Sequence, residues 1–512
     1  MKNIFLLLFF IAANAVAQNQ NSVWIFGDSA GIDFSNLNNP VPVFSGMDER
    51  GSCASIADTS GNLLFYCYSS IGGTDSLTLV YNYLNDTMSN GFYLIGSASY
   101  NQVVIVPIPN DSTKYFIFHL GFYNSTVGLF YSIVDMSLNG GQGEVIQKNI
   151  QLSTLMQGDC IEAIKHGNGR DWWLLSKLGG FGTTQIDRFY VYLISPGNTI
   201  STPIIQDFGH AVDAVQQKIV INSTADKLMN INTGGFMCEY NFDRCTGVVS
   251  SPNIIFPQQL SNFNRIFFQG AYSSNGNVFY VSRNSFGGNF GNKNYLLQYD
   301  LSAIDIPASC DTLDSTYTYP PVDNGAVRLA PDGKIYYSQA YISLTAVSTP
   351  YADTMRNYIN ENLGVINNPD ITGSGCNFAP FSFYLGGKRT YYGLPNNPNY
   401  SLGPLAGSPC DTLSVGINEI GIKSNPELFV FYLTSWQKLF VNAQNIKGKN
   451  AVLQIFDLTG KMVYTNAREH PSGSRVSRGY VTMDVNCNSF STGMYIVKLQ
   501  TEKEKLTKKF FR

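Results

Sequence analysis

The chain has 512 residues, of which 13% are charged and 13% are aromatic, and its formal net charge is −3. Average domains contain about 25% charged residues, and a single core stops growing at about 250–300 residues, so we expect at least two weakly charged domains. The aromatic content excludes disorder, and no dense basic stripe indicates a nucleic-acid partner. Abundant aromatic residues, Gly and Asn predict many short strands joined by tight turns.

The chain begins with the layout of a secretory signal peptide. Lys2 precedes an apolar run, 4–13, and a small-x-small site ends at Ala17, before Gln18. This apolar run is too short for a permanent membrane anchor. We therefore predict a signal peptide over 1–17, cleavage between Ala17 and Gln18, and no transmembrane segment in the mature chain. The alternative is a buried N-terminal helix.

Nine cysteines in an exported chain allow disulfides. A three-residue hairpin loop ending at Gly61 pairs Asp58 with Asn62, and counting outward puts Cys53 opposite Cys67, within bridging reach. A Cys53–Cys67 disulfide and two free core thiols remain the alternatives.

Cys238 and Cys245 form a second candidate pair. No Cys-x-x-Cys pair occurs and the four histidines are scattered, so we predict no zinc site.

A turn followed by an apolar strand recurs six times along the chain. The copies lie about 50 to 57 residues apart and occupy 60–66, 111–117, 168–174, 223–229, 275–280 and 332–337. A period near 50 with about four strands per unit is typical of a β-propeller blade, in which radial stacking covers both faces of each sheet.

The predicted fold class is all-β: a six- or seven-bladed β-propeller followed by a small Ig-like β-sandwich. We expect the propeller over 18–400. The segment 378–392 and residues 24–26 are predicted to share a seventh blade built from both chain ends, and seven blades are favoured over six. Two or three tandem β-sandwiches are the alternative.

The strongest cluster of titratable residues lies in the third unit and contains Asp159, Glu162, His166 and Asp171. One interpretation of this cluster is general acid/base catalysis at the central face of the ring. Polar turns and strand edges are the other, and we favour it. No nucleophile elbow or phosphate-binding loop occurs, so we predict no catalytic residue, no cofactor and no metal.

The C-terminal region differs from the rest in charge. From Ser414 onward, basic residues exceed acidic ones by seven, whereas acidic residues exceed basic ones by ten in the preceding chain. The alternation in 495–499 predicts a half-buried strand. We expect a sandwich of about seven strands over 414–512, after a linker over 401–413.

Two long stretches, 24–34 and 161–173, resemble exported propellers of bacteria that have a type IX secretion system. Three shorter stretches, 242–247, 298–302 and 363–369, extend this resemblance. That family has no common biochemical activity to transfer.

The stretches 452–461 and 490–499 and the closing 508–512 resemble a type A sorting domain of the type IX system. This resemblance implies binding to the type IX machinery, passage across the outer membrane, cleavage of the domain, and then attachment to the cell surface or release. An ordinary β-sandwich binding module is the alternative.

Asp followed by Ser or Thr, and then by an apolar residue or Thr, resembles the O-glycosylation sequon of the same bacteria. The predicted sites are Ser29, Ser76, Thr87, Ser112, Thr312, Ser315, Thr354 and Thr412.

Two functions remain open. The first is a non-enzymatic surface propeller that binds an unknown glycan or protein through loops on one face. The second is a propeller hydrolase or lyase acting on a polysaccharide or peptide. Converging carboxylates at the mouth of the central channel favour the enzyme, and a polar or aromatic face without them favours binding. We favour binding.

Overall fold

The computed structural model describes most of the chain after residue 18. The described residues are 19–48, 51–70, 77–96, 101–122, 127–179, 185–212, 216–259, 265–285, 293–317, 322–341, 357–411, 426–433, 437–444, 446–447, 451–468 and 481–512. The predicted signal peptide and its cleavage site at Ala17 and Gln18 lie outside them. The chain forms two compact units, Met1–Val415 and Gly416–Arg512.

The described part of the first unit contains seven antiparallel sheets, which follow one another along the chain. The strands of sheets 1 to 3 are β1 (Val23–Phe26), β2 (Asp28–Asp33), β3 (Val41–Asp48); β4 (Cys53–Ala57), β5 (Leu63–Ser70), β6 (Leu77–Asn82), β7 (Leu94–Ile95); β8 (Val103–Pro107), β9 (Lys114–Gly121), β10 (Gly128–Asp135) and β11 (Glu144–Ser153). Those of sheets 4 and 5 are β12 (Glu162–Lys165), β13 (Trp172–Lys177), β14 (Gln185–Ser195), β15 (Thr199–Ile200), β16 (Ile204–Val212); β17 (Gln217–Ile221), β18 (Lys227–Asn232), β19 (Met237–Asp243) and β20 (Val248–Phe256).

Sheets 6 and 7 complete the series. Their strands are β21 (Ile266–Tyr272), β22 (Val278–Ser285), β23 (Lys293–Asp300), β24 (Asp311–Tyr317); β25 (Val322–Leu329), β26 (Ile335–Tyr341), β27 (Asn362–Ile366) and β28 (Phe378–Tyr384). The one described α-helix, α1 (Asn357–Asn360), precedes β27. Each sheet is a meander in which successive strands pair, except that β15 and β16 both pair with β14.

The repeated turns join the first strand of a sheet to its second. In sheets 2 to 7 one residue of this turn has a positive φ, and these residues are Gly61, Asn110, Gly169, Ala225, Gly276 and Gly333. In five of these six turns the residue that begins the turn accepts a backbone hydrogen bond from the positive-φ residue, as between Gly276 N and Ser273 O at 3.0 Å. In sheet 3 the donor is Asp111, the residue after Asn110, which donates to Ile108 O at 3.0 Å. The sequence repeat therefore corresponds to one structural unit, a sheet, and the prediction of a propeller is confirmed.

The structure differs from the prediction that residues 24–26 and 378–392 share a seventh blade. Residues 24–26 pair with β2 of the same hairpin, and residues 378–384 form β28, which pairs with β27. The two segments do not share a sheet, because Gly27, with a φ of 63°, turns the chain back on itself directly after β1. Only isolated bridges join this hairpin to Arg389.

Sheet 1 packs against both the following sheet and the last one. Trp24 makes an edge-to-face contact with Tyr336 of sheet 7, with ring centroids 6.1 Å apart. On the other side, Ile25 N donates a hydrogen bond of 3.3 Å to Ser55 Oγ of sheet 2. A single apolar cluster contains buried side chains from all three sheets. The first and last parts of the propeller are thereby joined through packing.

The predicted Cys53–Cys67 disulfide is wrong. Ala57 pairs with Leu63 as expected, but Ile56 pairs with Phe65, so Leu64 is an extra residue in β5. This bulge shifts the register by one, and Cys53 lies opposite Tyr68. Because successive strand residues face opposite sides of a sheet, the two thiols are buried in different clusters and do not form a disulfide.

The Cys238–Cys245 pair is also wrong, since Cys245 is bonded to Cys410 over a sequence separation of 165 residues. Cys238 is a free thiol buried in β19. The disulfide fixes the described part of the predicted linker, 401–411, to the turn after β19, so this stretch is not a free spacer. Arg244 Nη2 also donates to Gly403 O at 2.7 Å.

The described residues of the second unit form a sandwich of seven strands, as predicted. Its strands are β29 (Glu427–Leu433), β30 (Lys438–Gln444), β31 (Ala451–Asp457), β32 (Met462–Arg468), β33 (Val481–Asn486), β34 (Met494–Gln500) and β35 (Lys505–Phe511). They form two sheets, ordered β29-β30-β33 and β32-β31-β34-β35. Leu439 and Val441 from one sheet share a core with Leu453 and Val497 from the other.

Among the described residues, no helix is long and apolar enough to span a membrane.

Candidate functional site

The first strands of sheets 4 to 7 surround a cavity of about 570 Å³. The lining comes from the strands β12, β17, β21 and β25, from residues that follow β2, β4, β17 and β25, and from two irregular segments, 19–22 and 397–402. First strands line the centre of a propeller because each blade begins at the axis. The segment that follows the last sheet therefore contributes to the centre of the ring.

The cavity lining consists mainly of neutral polar and apolar groups. Glu162 and Arg328 are the two charged residues among the described residues that line it. The neutral polar lining residues are Asn19, Asn21, Ser22, Ser35, Ser60, Asn222, Ser223, Asn397, Asn399 and Ser401. Three aromatic residues, Phe34, Tyr272 and Tyr400, also line the cavity, but each is only 1% exposed. The groups that this lining offers to a ligand are therefore mainly amides and hydroxyls, with apolar surface from the exposed Leu37.

Glu162 is buried and paired with a lysine from the next sheet. Lys218 Nζ lies 3.6 Å from Glu162 Oε2 and donates to Asn101 Oδ1 at 2.9 Å and to Asn396 Oδ1 at 2.8 Å. Burial lowers the pKa of Lys218 to about 8, although the Glu162 carboxylate opposes this shift, and the nearby Arg328 adds to it. The cavity carboxylate is thus neutralised by a contact within the protein.

The segment around Asn396 contacts the first strands of several sheets. The side-chain Nδ2 of Asn396 donates to Val103 O at 3.1 Å and to Ile161 O at 2.9 Å. Its Oδ1 accepts from Lys218 Nζ at 2.8 Å and from Arg328 Nη1 at 3.4 Å. These partners belong to four different sheets or to residues next to them. The carboxamide satisfies buried polar groups that face the axis.

Two further residues anchor the same segment. Asn397 accepts a hydrogen bond from Arg328 Nη2 at its backbone carbonyl, and its Nδ2 donates to Asn21 Oδ1 at 2.9 Å. The buried Tyr400 donates its hydroxyl to Ile105 O at 2.9 Å and packs edge-to-face on Trp172. Residues 396–400 are therefore part of the ring and of the cavity wall.

The structure divides the predicted cluster of titratable residues in two. Asp159 and Glu162 both lie beside the network around Lys218, where Asp159 Oδ1 accepts from Asn101 N at 2.8 Å. His166 and Asp171 lie instead in the turn between β12 and β13.

In that turn the side chains of His166 and Asp171 both make hydrogen bonds within the protein. His166 Nδ1 accepts from Asn168 N at 2.9 Å, and its Nε2 lies 3.1 Å from Cys245 O. Burial lowers the pKa of His166 and favours the neutral ring. Asp171 accepts from Asn168 Nδ2 at 2.9 Å and from Arg170 Nε at 2.7 Å. These contacts match the interpretation of His166 and Asp171 as turn-stabilising residues.

The predicted O-glycosylation sites differ in exposure. Ser112, Thr312 and Ser315 are exposed, whereas Ser29 and Thr87 are half-buried. The remaining three, Ser76, Thr354 and Thr412, lie outside the described residues. All eight stay predictions.

Within the described ranges, no group of three or more His, Cys, Asp and Glu side chains is arranged to hold a metal ion.

Sequence reasoning missed Lys218, Arg328, Asn396 and Tyr400. The available signal was the run Pro395-Asn396-Asn397-Pro398-Asn399-Tyr400, whose carboxamides follow the last strand of the repeats. Its partners lie far away in the sequence, so spacing alone did not identify them.

The second unit identifies the export route. Residues 436–511 match the family described as the secretion system C-terminal sorting domain. The protein therefore carries a type IX sorting domain, which directs it to the cell surface or to the exterior, as predicted. This domain follows a β-propeller in the same chain.

Several solved propellers are similar to the chain at low identity. The Dos1 propeller shares 10% identity, with 74% of this chain and 73% of that chain covered and a TM-score of 0.39. The β-propeller domain of the Trilobed protease from Pyrococcus furiosus shares 12%, with 69% and 86% covered and a TM-score of 0.30. A puromycin hydrolase shares 8%, with 84% and 59% covered and a TM-score of 0.34. At such low identities and TM-scores, we infer no activity of this chain from these structures. No curated protein matches the sequence.

Proposed function

We propose that the protein is an exported seven-bladed propeller that binds a surface glycan in its central cavity without catalysing a reaction. The observation that carries this proposal is the cavity lining, in which neutral amide and hydroxyl groups predominate over charged ones. Glycans present many hydroxyl groups, which can exchange hydrogen bonds with such amides and hydroxyls. The volume of about 570 Å³ lies within the usual range for ligand sites, about 300–1,000 Å³.

The state of the cavity carboxylate supports binding rather than hydrolysis. Glycoside hydrolysis commonly needs two carboxyl groups that flank the scissile bond. Among the described lining residues only Glu162 carries a carboxylate, and Lys218 lies beside it. An acid and a base that converge on bound substrate are therefore not provided by the described part of this cavity.

Seven blades are supported by the packing of sheet 1. The hairpin of β1 and β2 contacts sheet 2 through Ser55 and sheet 7 through Tyr336, which is the position of a blade between the last and the second sheet. We further propose the limits 1–17 for the signal peptide, 18–400 for the propeller and 414–512 for the sorting domain.

The proposal is tested with the mature full-length chain on a glycan array, followed by calorimetric titration of the strongest ligand. Leu37, which lines the cavity, is 51% exposed, so its truncation leaves the core intact. Leu37→Ala is expected to weaken binding roughly tenfold, equivalent to about 1.4 kcal/mol, because it removes apolar contact surface.

Leu84→Ala is the matched control, because Leu84 is also 51% exposed but does not line the cavity. Equal affinities of both variants and the original chain would place the ligand elsewhere. Shortening of the ligand during incubation would contradict a non-catalytic role.

A further inference from the structure

Three reactive side chains meet between sheets 4 and 5. Lys177 lies on β13, Asp187 on β14 and Asn230 on β18, and all three are 0% exposed. Lys177 Nζ contacts Asp187 Oδ1 and donates to Asn230 Oδ1 at 2.8 Å. The Lys177 amine therefore contacts both a carboxylate and a carboxamide, and all three side chains are buried.

The surroundings of the three side chains are aromatic. Lys177 Nζ lies 4.2 Å from the centroid of the Phe189 ring and 5.8 Å from that of Tyr240. The Tyr240 hydroxyl donates to Asp187 Oδ2. A lysine charge in such a place costs free energy of desolvation, and a carboxylate in direct contact with Nζ can accept its proton.

We propose that Lys177 and Asn230 form an intramolecular isopeptide bond, with Asp187 as the proton-transferring group. Asp187 takes one proton from the Lys177 ammonium, and the neutral Nζ attacks Cγ of Asn230. Asp187 then returns this proton to Nδ2, and the Cγ–Nδ2 bond breaks. A second proton leaves Nζ with the departing ammonia, so that a lysine ammonium and a carboxamide become a secondary amide and an ammonium ion. No oxidant or reductant is needed.

Hydrogen bonds hold the side chain of Asn230 next to Lys177. Its Oδ1 accepts from Lys177 Nζ at 2.8 Å, and its Nδ2 donates to Lys218 O at 3.2 Å. Both ends of the carboxamide are thus held by neighbours. The product amide would be uncharged at Nζ and would tie β13 of sheet 4 to β18 of sheet 5.

Lys218 provides a comparison within the same protein. Its Nζ also donates to two carboxamides, those of Asn101 and Asn396. Here the carboxylate of Glu162 is 3.6 Å away rather than in hydrogen-bonding contact, and Glu162 lines the open cavity. We expect Lys218 to keep a free amine.

Tryptic digestion of the reduced, denatured full-length chain decides the proposal, because an acylated lysine resists trypsin. The proposed bond removes the peptides 171–177 and 178–188. It yields 171–188 joined to 228–244, with a mass lower than the sum of the two by one ammonia. The chain is produced in a host that does not glycosylate it, and cleavage after Lys218 serves as the internal control.

Separate, unmodified peptides 171–177, 178–188 and 228–244 would overturn the proposal. So would a peptide 171–188 that has lost one water molecule, since it would place the bond on Asp187. In the Asp187→Ala variant the joined peptide should be lost, because no carboxylate transfers the proton. A joined peptide in undiminished yield would contradict the role of Asp187. Should this variant fail to fold, the digest of the unaltered chain still decides whether the bond exists.

Discussion

Lys218 shows how a single buried side chain organises the candidate site. It belongs to β17, yet its Nζ contacts residues that precede β8, that lie on β12 and that follow β28. Burial lowers its pKa to about 8, which means that folding opposes its charged form. The charge of the Lys218 ammonium balances that of the Glu162 carboxylate, 3.6 Å away, so the electrostatics of the cavity depend on this lysine.

The stability of the propeller should therefore depend on pH through Lys218. The folded pKa of about 8 lies below the ordinary value of 10.5, so between these values the unfolded chain binds more protons. The free energy of unfolding should rise from pH 8 to pH 9.5, and Lys218→Met should reduce this slope by up to about 1.4 kcal/mol per pH unit. Urea titrations at several pH values measure the slope.

The control for this experiment is Lys438→Met, which removes an exposed ion pair with Asp484 in the sorting domain. This variant should keep the original slope. Slopes that agree in the original chain and in Lys218→Met would show that Lys218 is not perturbed in the folded state.

At the residue scale, the sequence predicted part of the candidate site. Asp159 and Glu162 were singled out because acidic residues cluster near β12, and both do lie beside the axial network. Lys218 and Asn396 were not found, because contacts between sheets join residues whose separation in sequence carries no period. Which residues meet at the axis depends on the number of residues in each sheet, so a constant sequence spacing does not predict these contacts.

At the scale of elements, the repeat was predictable because its cause is local. A turn that needs a positive φ selects Gly or Asn, and the following strand selects aromatic and β-branched residues. The bulge at Leu64 has no such signal, since Leu fits an ordinary strand equally well. A one-residue error in register was enough to predict a disulfide between thiols on opposite faces.

The register of β4 and β5 makes a direct prediction about thiols. Seven of the nine cysteines are free, and Cys245 and Cys410 form the disulfide. Alkylation of the denatured, unreduced protein followed by mass spectrometry should add seven labels, with Cys245 and Cys410 unlabelled. Five labels, with Cys53 and Cys67 unlabelled, would support the originally predicted pairing and contradict the observed register.

The propeller as a whole is held together by contacts that involve its two ends. The β1–β2 hairpin packs between sheets 2 and 7, and the segment after sheet 7 returns through the axis to Cys245. The predicted linker, 401–413, includes Cys410 of this disulfide. The general order of a propeller followed by a sorting domain was predictable, because each has its own local pattern.

Removal of residues 414–512 tests the account of an exported propeller with a C-terminal sorting domain most directly. Cells of a bacterium with a type IX system would produce the full chain and the shortened chain, and each would be quantified inside and outside the cell. We expect the full chain at the surface or in the medium, and the shortened chain inside with its Cys245–Cys410 disulfide formed. Equal amounts of both chains outside would contradict the account.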